Sequence, residues 1–480
     1  MEALHCPSAI GHDYFPRKSS IWLRGLSLLA FLALSICPAA AQTQVELVAL
    51  KGLAPVTALE KTETGKAALA ANLAVTGAIQ DGTSHQPTLL PFPDQQQQAL
   101  RDAFITGENA YGLADGLGSA LGAAYQAATG YSSADDGKTT IAPNISPAVA
   151  QLIAYANATS RADSNLGKYF FANGTSDGKA AVSAATLAIL TEIGGTPDMF
   201  GRAYGRPAGG PGADRFGNSR PFQTLPHLLT FEGADFFGVA SSNVAWLRGP
   251  AQNLTNSPSY PSGHTTYGYM ESLLLALLVP ERYPQMVVRA AEYGSNRITM
   301  GAHYAMDVLG GRALATYDLA QLLANKPGYV GVQRGALVIA DFRKALTDAR
   351  ADVTKALEDR CGKTIATCAM DDRSRFADAE RNDAFHASTQ TYGLPVVFAA
   401  NAGQTEDVAT LAPEAGYLLT AAFPYLTLDQ ANAILTSTQG LGGGFLDNGS
   451  AFGVYSRLDL YRASQQAIAA APSWQSSHGR

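Results

Sequence analysis

Between Thr266 and Leu278 apolar residues run almost unbroken, closing with Leu273-Leu274-Leu275-Ala276-Leu277-Leu278. The stretch carries Glu271, is stopped by Pro280 and falls short of the ~20 residues a membrane crossing requires. It predicts a helix buried inside a bundle. Other helix boundaries are written in capping residues. Ser146-Pro147 opens one helix with a capping hydroxyl and a proline at its first position, and Ser183 opens another that stops at Gly194-Gly195. Thr427-Leu428-Asp429-Gln430 has the form of a capping box. Gln95 to Gln98 is a polar tract expected on a helix surface, and Gly440 with Gly442-Gly443-Gly444 reads as a flexible turn. The segment from Gly201 to Pro261 is rich in Gly, Pro, Asn and Ser and predicts long loops, which in compact domains are more often functional than idle. The pattern is that of an all-α helical bundle with helical N- and C-terminal extensions. No internal repeat is evident.

Near the N-terminus, Arg17, Lys18 and Arg24 precede a short apolar stretch from Leu26 to Ile36, followed by Ala39-Ala40-Ala41. This order predicts a cleaved signal peptide over 1–41 and export to the periplasm or beyond. Lipidation at Cys37 is disfavoured by the isoleucine before it. Cys361 and Cys368 are then the cysteines of the mature chain, expected to form a disulfide in a Gly-containing loop. The remainder divides into an N-terminal helical region (42–165), a core (166–325) and a C-terminal extension (326–480). At 46% hydrophobic and 15% charged the 480-residue composition is globular, and a net charge of -6 with no basic run argues against a nucleic-acid partner. An anionic substrate would have to be attracted locally, by arginines.

Such arginines accompany the most informative motif, Pro261-Ser262-Gly263-His264 followed by Arg297, His303 and Asp307. His303 and Asp307 have helical spacing, close enough for the carboxylate to accept one ring N–H and leave the other nitrogen as a lone-pair nucleophile. Gly301 can break the helix between Arg297 and His303. Arg297 would then close one helix and His303 open the next, whose N–H groups and dipole favour an anion. Ser262 and the Gly263 N–H can donate from a tight turn, and His264 can protonate a leaving oxygen. His227 and His386 have no partner pattern and are expected at the surface or in loops.

These residues resemble the superfamily that unites type 2 phosphatidic acid phosphatases, bacterial class A acid phosphatases and vanadium-dependent haloperoxidases. Ser262-Gly263-His264 is similar to its second motif. Ser295, Arg297, His303 and Asp307 resemble the third, with Asn296 splitting the usual Ser-Arg pair. Asp214 to Phe222 resembles the first only in Arg220-Pro221. Where that motif wants a lysine this chain has Ala213, and no lysine occurs between Lys179 and Lys326. The cation is expected from Arg215, or more distantly from Arg202 or Arg206, or else is absent.

The resemblance implies a metal-independent acid phosphatase acting on small phosphomonoesters without a cofactor. His303 would form a phosphohistidine, Asp307 orient it and His264 act as acid and then base. Arg220, Arg297, Ser262, Gly263 and Arg215 would hold phosphate. Vanadate would inhibit such an enzyme. In the alternative of a vanadium haloperoxidase it would be the cofactor, and a non-catalytic periplasmic binding protein on the same fold is a further alternative. The same likeness sets aside the integral-membrane lipid phosphatases, because no second long apolar run appears.

Overall fold

The computed structural model describes residues 47–84, 88–105, 110–129, 144–193, 216–225, 227–244 and 254–471. The expected signal peptide, Arg202, Arg206, Arg215 and the Gly194-Gly195 stop lie outside these residues. Helix accounts for 64% of the structure, and among the described residues the strands form two short hairpins, so the class is all-α. The principal helices are α1 (Glu63–Gln80), α2 (Phe92–Asp102), α3 (Ser119–Ala128), α4 (Pro147–Asn173) and α5 (Ala184–Ile193). There follow α6 (Gly263–Leu278), α7 (Tyr283–Thr299), α8 (Ala305–Leu323), α9 (Phe342–Cys361) and α10 (Ile365–Met370). The last are α11 (Ala379–Thr391), α12 (Leu428–Thr438) and α13 (Leu460–Ala469).

Helix α6 is the centre. Every residue from Gly268 to Leu278 is buried, because its apolar side chains cover the full circumference and it packs chiefly on α7, then on α8 and α4. Among the described residues no helix is long and apolar enough to cross a membrane. The capping signals act where the sequence places them. Ser146 accepts from the Val149 N–H, Ser183 from Thr186, and Thr427 with Gln430 forms a full capping box. One hydrophobic core runs through helices from all three expected regions, from Leu50 to Ala467.

Several local expectations need correction. The glutamine tract is half-buried, since the Gln97 side chain pins the hairpin of β1 (Glu232–Ala234) and β2 (Ala240–Ser242) by accepting from the Ala234 N–H. The region read as loops therefore contains an ordered antiparallel hairpin. His386 lies on α11, is buried, and sets its Nδ1 3.3 Å from Asp459 with its ring against Tyr461. Cys361 and Cys368 are disulfide-bonded as expected, joining the last residue of α9 to α10 across the turn that contains Gly362. The Gly443 turn is held rigidly, its carbonyl accepting from the N–H groups of Val397 and Phe398.

Candidate active site

The site is built where α4, α6 and the α7–α8 corner meet the segment from Asn218 to Pro221. Ser262 starts α6 by accepting the Thr265 N–H at 3.1 Å, which places Gly263 and His264 in the first turn, both partly exposed. The Ser262 hydroxyl is therefore engaged as a helix cap, although its own proton stays available to donate. At the other corner Gly301 adopts φ +72°, a left-handed turn that glycine tolerates, and the Ala302 and His303 N–H groups return to the Arg297 carbonyl.

His303 precedes the first residue of α8, so it meets Asp307 across the helix start rather than along a helix face. Its Nδ1 lies 3.3 Å from Asp307 Oδ2, which also accepts from the Tyr304 N–H at 2.8 Å and from the Ser259 hydroxyl. With Nδ1–H committed to the carboxylate, Nε2 keeps its lone pair, and the Arg220 guanidinium donates to it at 2.9 Å. Both His303 and Asp307 are fully buried, and the His264 ring stands 6.4 Å away, centre to centre.

The α8 N-terminus does not play the expected part. Its free N–H groups are taken by Asp307, by Thr76 and by Asn72, the last two from α1. Positive charge comes instead from side chains. Arg220 is anchored by the carbonyls of Ser257, Pro258 and Ala302. Arg297 is 1% exposed, yet its Nε and Nη1 have no hydrogen-bond partner among the described residues. Its neighbours diverge, since Ser295 bonds Tyr392 and Asn296 bonds Asp102, so of the three only Arg297 faces the site.

A third cation is one the sequence reading missed. Lys168, on α4, is 7% exposed and reaches Ser257 Oγ at 3.5 Å, the atom that Arg220 also contacts. A Cβ on Gly263 would lie 3.3 Å from Lys168 Cε and Nζ, so glycine there leaves room for the ammonium beside His264. Lys168 thus stands near the position where the sequence called for a cation, while Arg215, Arg202 and Arg206 lie outside the described residues. The available signal was a lone lysine on a helix otherwise buried on that face, with the residues from Gly174 to Ser219 separating it from Arg220.

Burial, and then the crowding of cations, sets the protonation states. Burial, then Arg220 and Arg297, pushes the Lys168 ammonium down to about 7. Burial and Arg297 bring Arg220 down to about 9. Both histidines fall well below their ordinary range, His264 through burial and then Arg297, Lys168 and Arg220, His303 through burial and then Arg220 and Arg297. Among the described residues Asp307 is the carboxylate that acts on both Lys168 and Arg220. The cluster is thus a buried excess of positive charge next to a neutral, oriented imidazole.

The PAP2 superfamily profile matches residues 214–323, which contain His264, Arg297, His303, Asp307 and Arg220. Residues 214–323 are a PAP2 superfamily domain. The chain is 34% identical over 105 residues to an acid phosphatase of Zymomonas mobilis, covering 22% of this chain and 34% of that protein. It is 41% identical over 112 residues to a non-specific acid phosphatase of Salmonella typhimurium, covering 20% of this chain and 44% of that protein. With a non-specific acid phosphatase of Providencia stuartii it shares 26% identity over 181 residues, 35% of this chain and 70% of the other. The chain thus spans less than half the length of the first two relatives. Lys168 lies before the PAP2 segment, so the α4 wall of the site is supplied from outside it.

Proposed function

We propose that the protein is an exported acid phosphatase that hydrolyses small phosphomonoesters through a phosphohistidine at His303. The observation that carries this reading is the His303 ring, held by Asp307 with Nε2 unprotonated among Lys168, Arg220 and Arg297. Three cations and one carboxylate leave an excess of two positive charges, the complement of a phosphate-ester dianion. As the ester enters, the Arg220 N–H transfers from Nε2 to a phosphoryl oxygen and frees the nucleophile. Nε2 then forms a bond to phosphorus while the ester P–O bond breaks, and His264 gives its proton to the departing oxygen. In the second step His264 takes a proton from water, whose oxygen displaces His303 and releases phosphate. Lys168, Arg220, Arg297 and the Gly263 N–H stabilise charge on the equatorial oxygens.

Burial and the flanking cations disfavour a proton on His264, yet the mechanism needs one. The dianion resolves this, because it cancels the cations that depress His264 and so draws a proton onto it. Export, with removal of 1–41, agrees with the Cys361–Cys368 disulfide, which persists in oxidising compartments.

The test is turnover of p-nitrophenyl phosphate by purified protein in the presence of a chelator, with trapping of phosphate on His303 by rapid denaturation at alkaline pH. Micromolar vanadate is expected to inhibit. Peroxide-dependent bromination by vanadate-loaded protein, with no ester hydrolysis by the vanadate-free form at any pH, would overturn the reading in favour of the haloperoxidase.

A further inference from the structure

Helix α4 contributes more to the site than Lys168. Ser164 is 1% exposed, and its hydroxyl has no hydrogen-bond partner among the described residues. That hydroxyl would lie 3.3 Å from a Cβ on Gly263, so it faces the same opening as the Lys168 ammonium. Arg161 precedes Lys168 by about two turns on nearly the same face, with Cα atoms about 10 Å apart along the axis. It is exposed and makes no ion pair among the described residues.

The packing register fixes what Arg161 faces. Helices α4 and α6 run antiparallel, with Ser164 beside Gly263 and Asn157 donating to Glu271 at 2.8 Å two turns on. Between those pairs Arg161 falls opposite Tyr267, and it acts electrostatically on the Tyr267 phenol. The Tyr267 ring in turn lies 5.2 Å from the ring of His264. On the phosphatase reading His264 protonates the leaving oxygen, so the leaving group departs along Tyr267 towards Arg161.

We propose that Tyr267, Ser164 and Arg161 form a leaving-group subsite selecting phosphomonoesters whose alcohol or phenol carries a second negative charge. Ser164 donates to the ester near the phosphoryl group, Tyr267 offers a ring face, and Arg161 pairs with the distal anion. This inference rests on the phosphatase reading for its direction, but the subsite can be tested without turnover.

The experiment compares kcat/KM for phenyl phosphate and 4-carboxyphenyl phosphate, which share a ring and differ by one charge. The ratio between them is read within each variant, so changes common to both esters cancel. Wild type should favour the carboxylated ester. Arg161→Gln should reduce the ratio about three- to fivefold, the scale of a solvent-accessible ion pair. Arg161→Glu should reduce it further, and Arg161→Lys should retain most of it. In parallel, calorimetry with phenylphosphonate and 4-carboxyphenylphosphonate measures the same preference in binding. Hydrolysis of both esters with an unchanged ratio in Arg161→Gln and Arg161→Glu would overturn the subsite. Absence of hydrolysis, with an Arg161-dependent phosphonate preference intact, would instead overturn the phosphatase reading and leave the subsite standing.

Discussion

Arg289 and Arg297 stand about two turns apart on α7, both fully or almost fully buried, and their surroundings are opposite. Arg289 is saturated. It makes two bonds to Asp102 at 2.9 and 2.6 Å, a third to Asp115 at 2.7 Å, and an ion pair with Glu292. Arg375 reaches Glu292 and Asp115 from the C-terminal region, and Asn296 adds a donor to Asp102. The carboxylates hold the Arg289 guanidinium well above its ordinary range against the opposing effect of burial. Among the described residues Arg297 has no such carboxylate, and its neighbours in charge are Lys168, Arg220 and two histidines. A buried charge costs several kcal/mol unless paired. The fold meets that cost for Arg289 with acids of its own, whereas at Arg297, on the proposed function, the matching charge arrives with the substrate.

The contrast can be broken most decisively at its reactive end. His303→Ala should lower phosphatase kcat by on the order of 10⁴-fold or more, as loss of a covalent nucleophile does, with the thermal transition retained. Asp307→Ala should reduce turnover less, without unfolding the protein. Near-normal hydrolysis by the His303 variant would rule out the phosphohistidine.

Next in size is stability. Arg289→Met leaves Asp102 buried without its bidentate partner and should cost about 3–5 kcal/mol in chemical denaturation. Arg297→Met removes an unpaired buried cation, so it should spare stability and abolish inhibition by inorganic phosphate. Equal destabilisation in the two variants would mean that Arg297 has a structural partner after all.

Lys168 sharpens the comparison further. Lys168→Met should weaken phosphate inhibition by roughly 1.5–3 kcal/mol, the worth of a hydrogen bond to a charged group, with the melting temperature held or raised. Unchanged phosphate inhibition would return the search to Arg215, Arg202 and Arg206.

The smallest effect concerns protons. With its ammonium brought down to about 7, Lys168 is charged below that pH and neutral above it. An anion binds the charged form, so sulfate affinity should be greatest below about 7 and decline as pH rises through that value. Sulfate stays a dianion throughout, which isolates the protein's protons. Calorimetry in buffers of different ionisation enthalpy should show proton uptake on binding, reduced in Lys168→Met. Proton release would contradict the charge excess.

Parts of this molecule were legible without coordinates because they depend on neighbours in sequence. The caps at Ser146, Ser183 and Thr427 act within one turn, where a hydroxyl meets an N–H three residues on. The apolar circumference of α6 requires burial whatever surrounds it. The break at Gly301 follows from a positive φ that glycine adopts without strain, and the His303–Asp307 bond lies within one turn of the helix start. The same locality misled where a partner was remote. His386 looked isolated until Asp459 came beside it, and the α8 N-terminus looked free until Asn72 and Thr76 arrived from α1.

What the sequence by itself determined is the proposed reactive apparatus: a histidine oriented by an acid, a second histidine at a helix start, and arginines flanking them, all inside the PAP2 segment. Only the tertiary structure decided which further cation completes the site and which arginine stays unneutralised. Lys168 reaches Ser257 because α4 packs against α6, and Arg289 is paired because Asp102 and Asp115 are carried to it from distant segments. Electrostatic energy depends on distance in space and on burial, and neither can be read from separation along the chain.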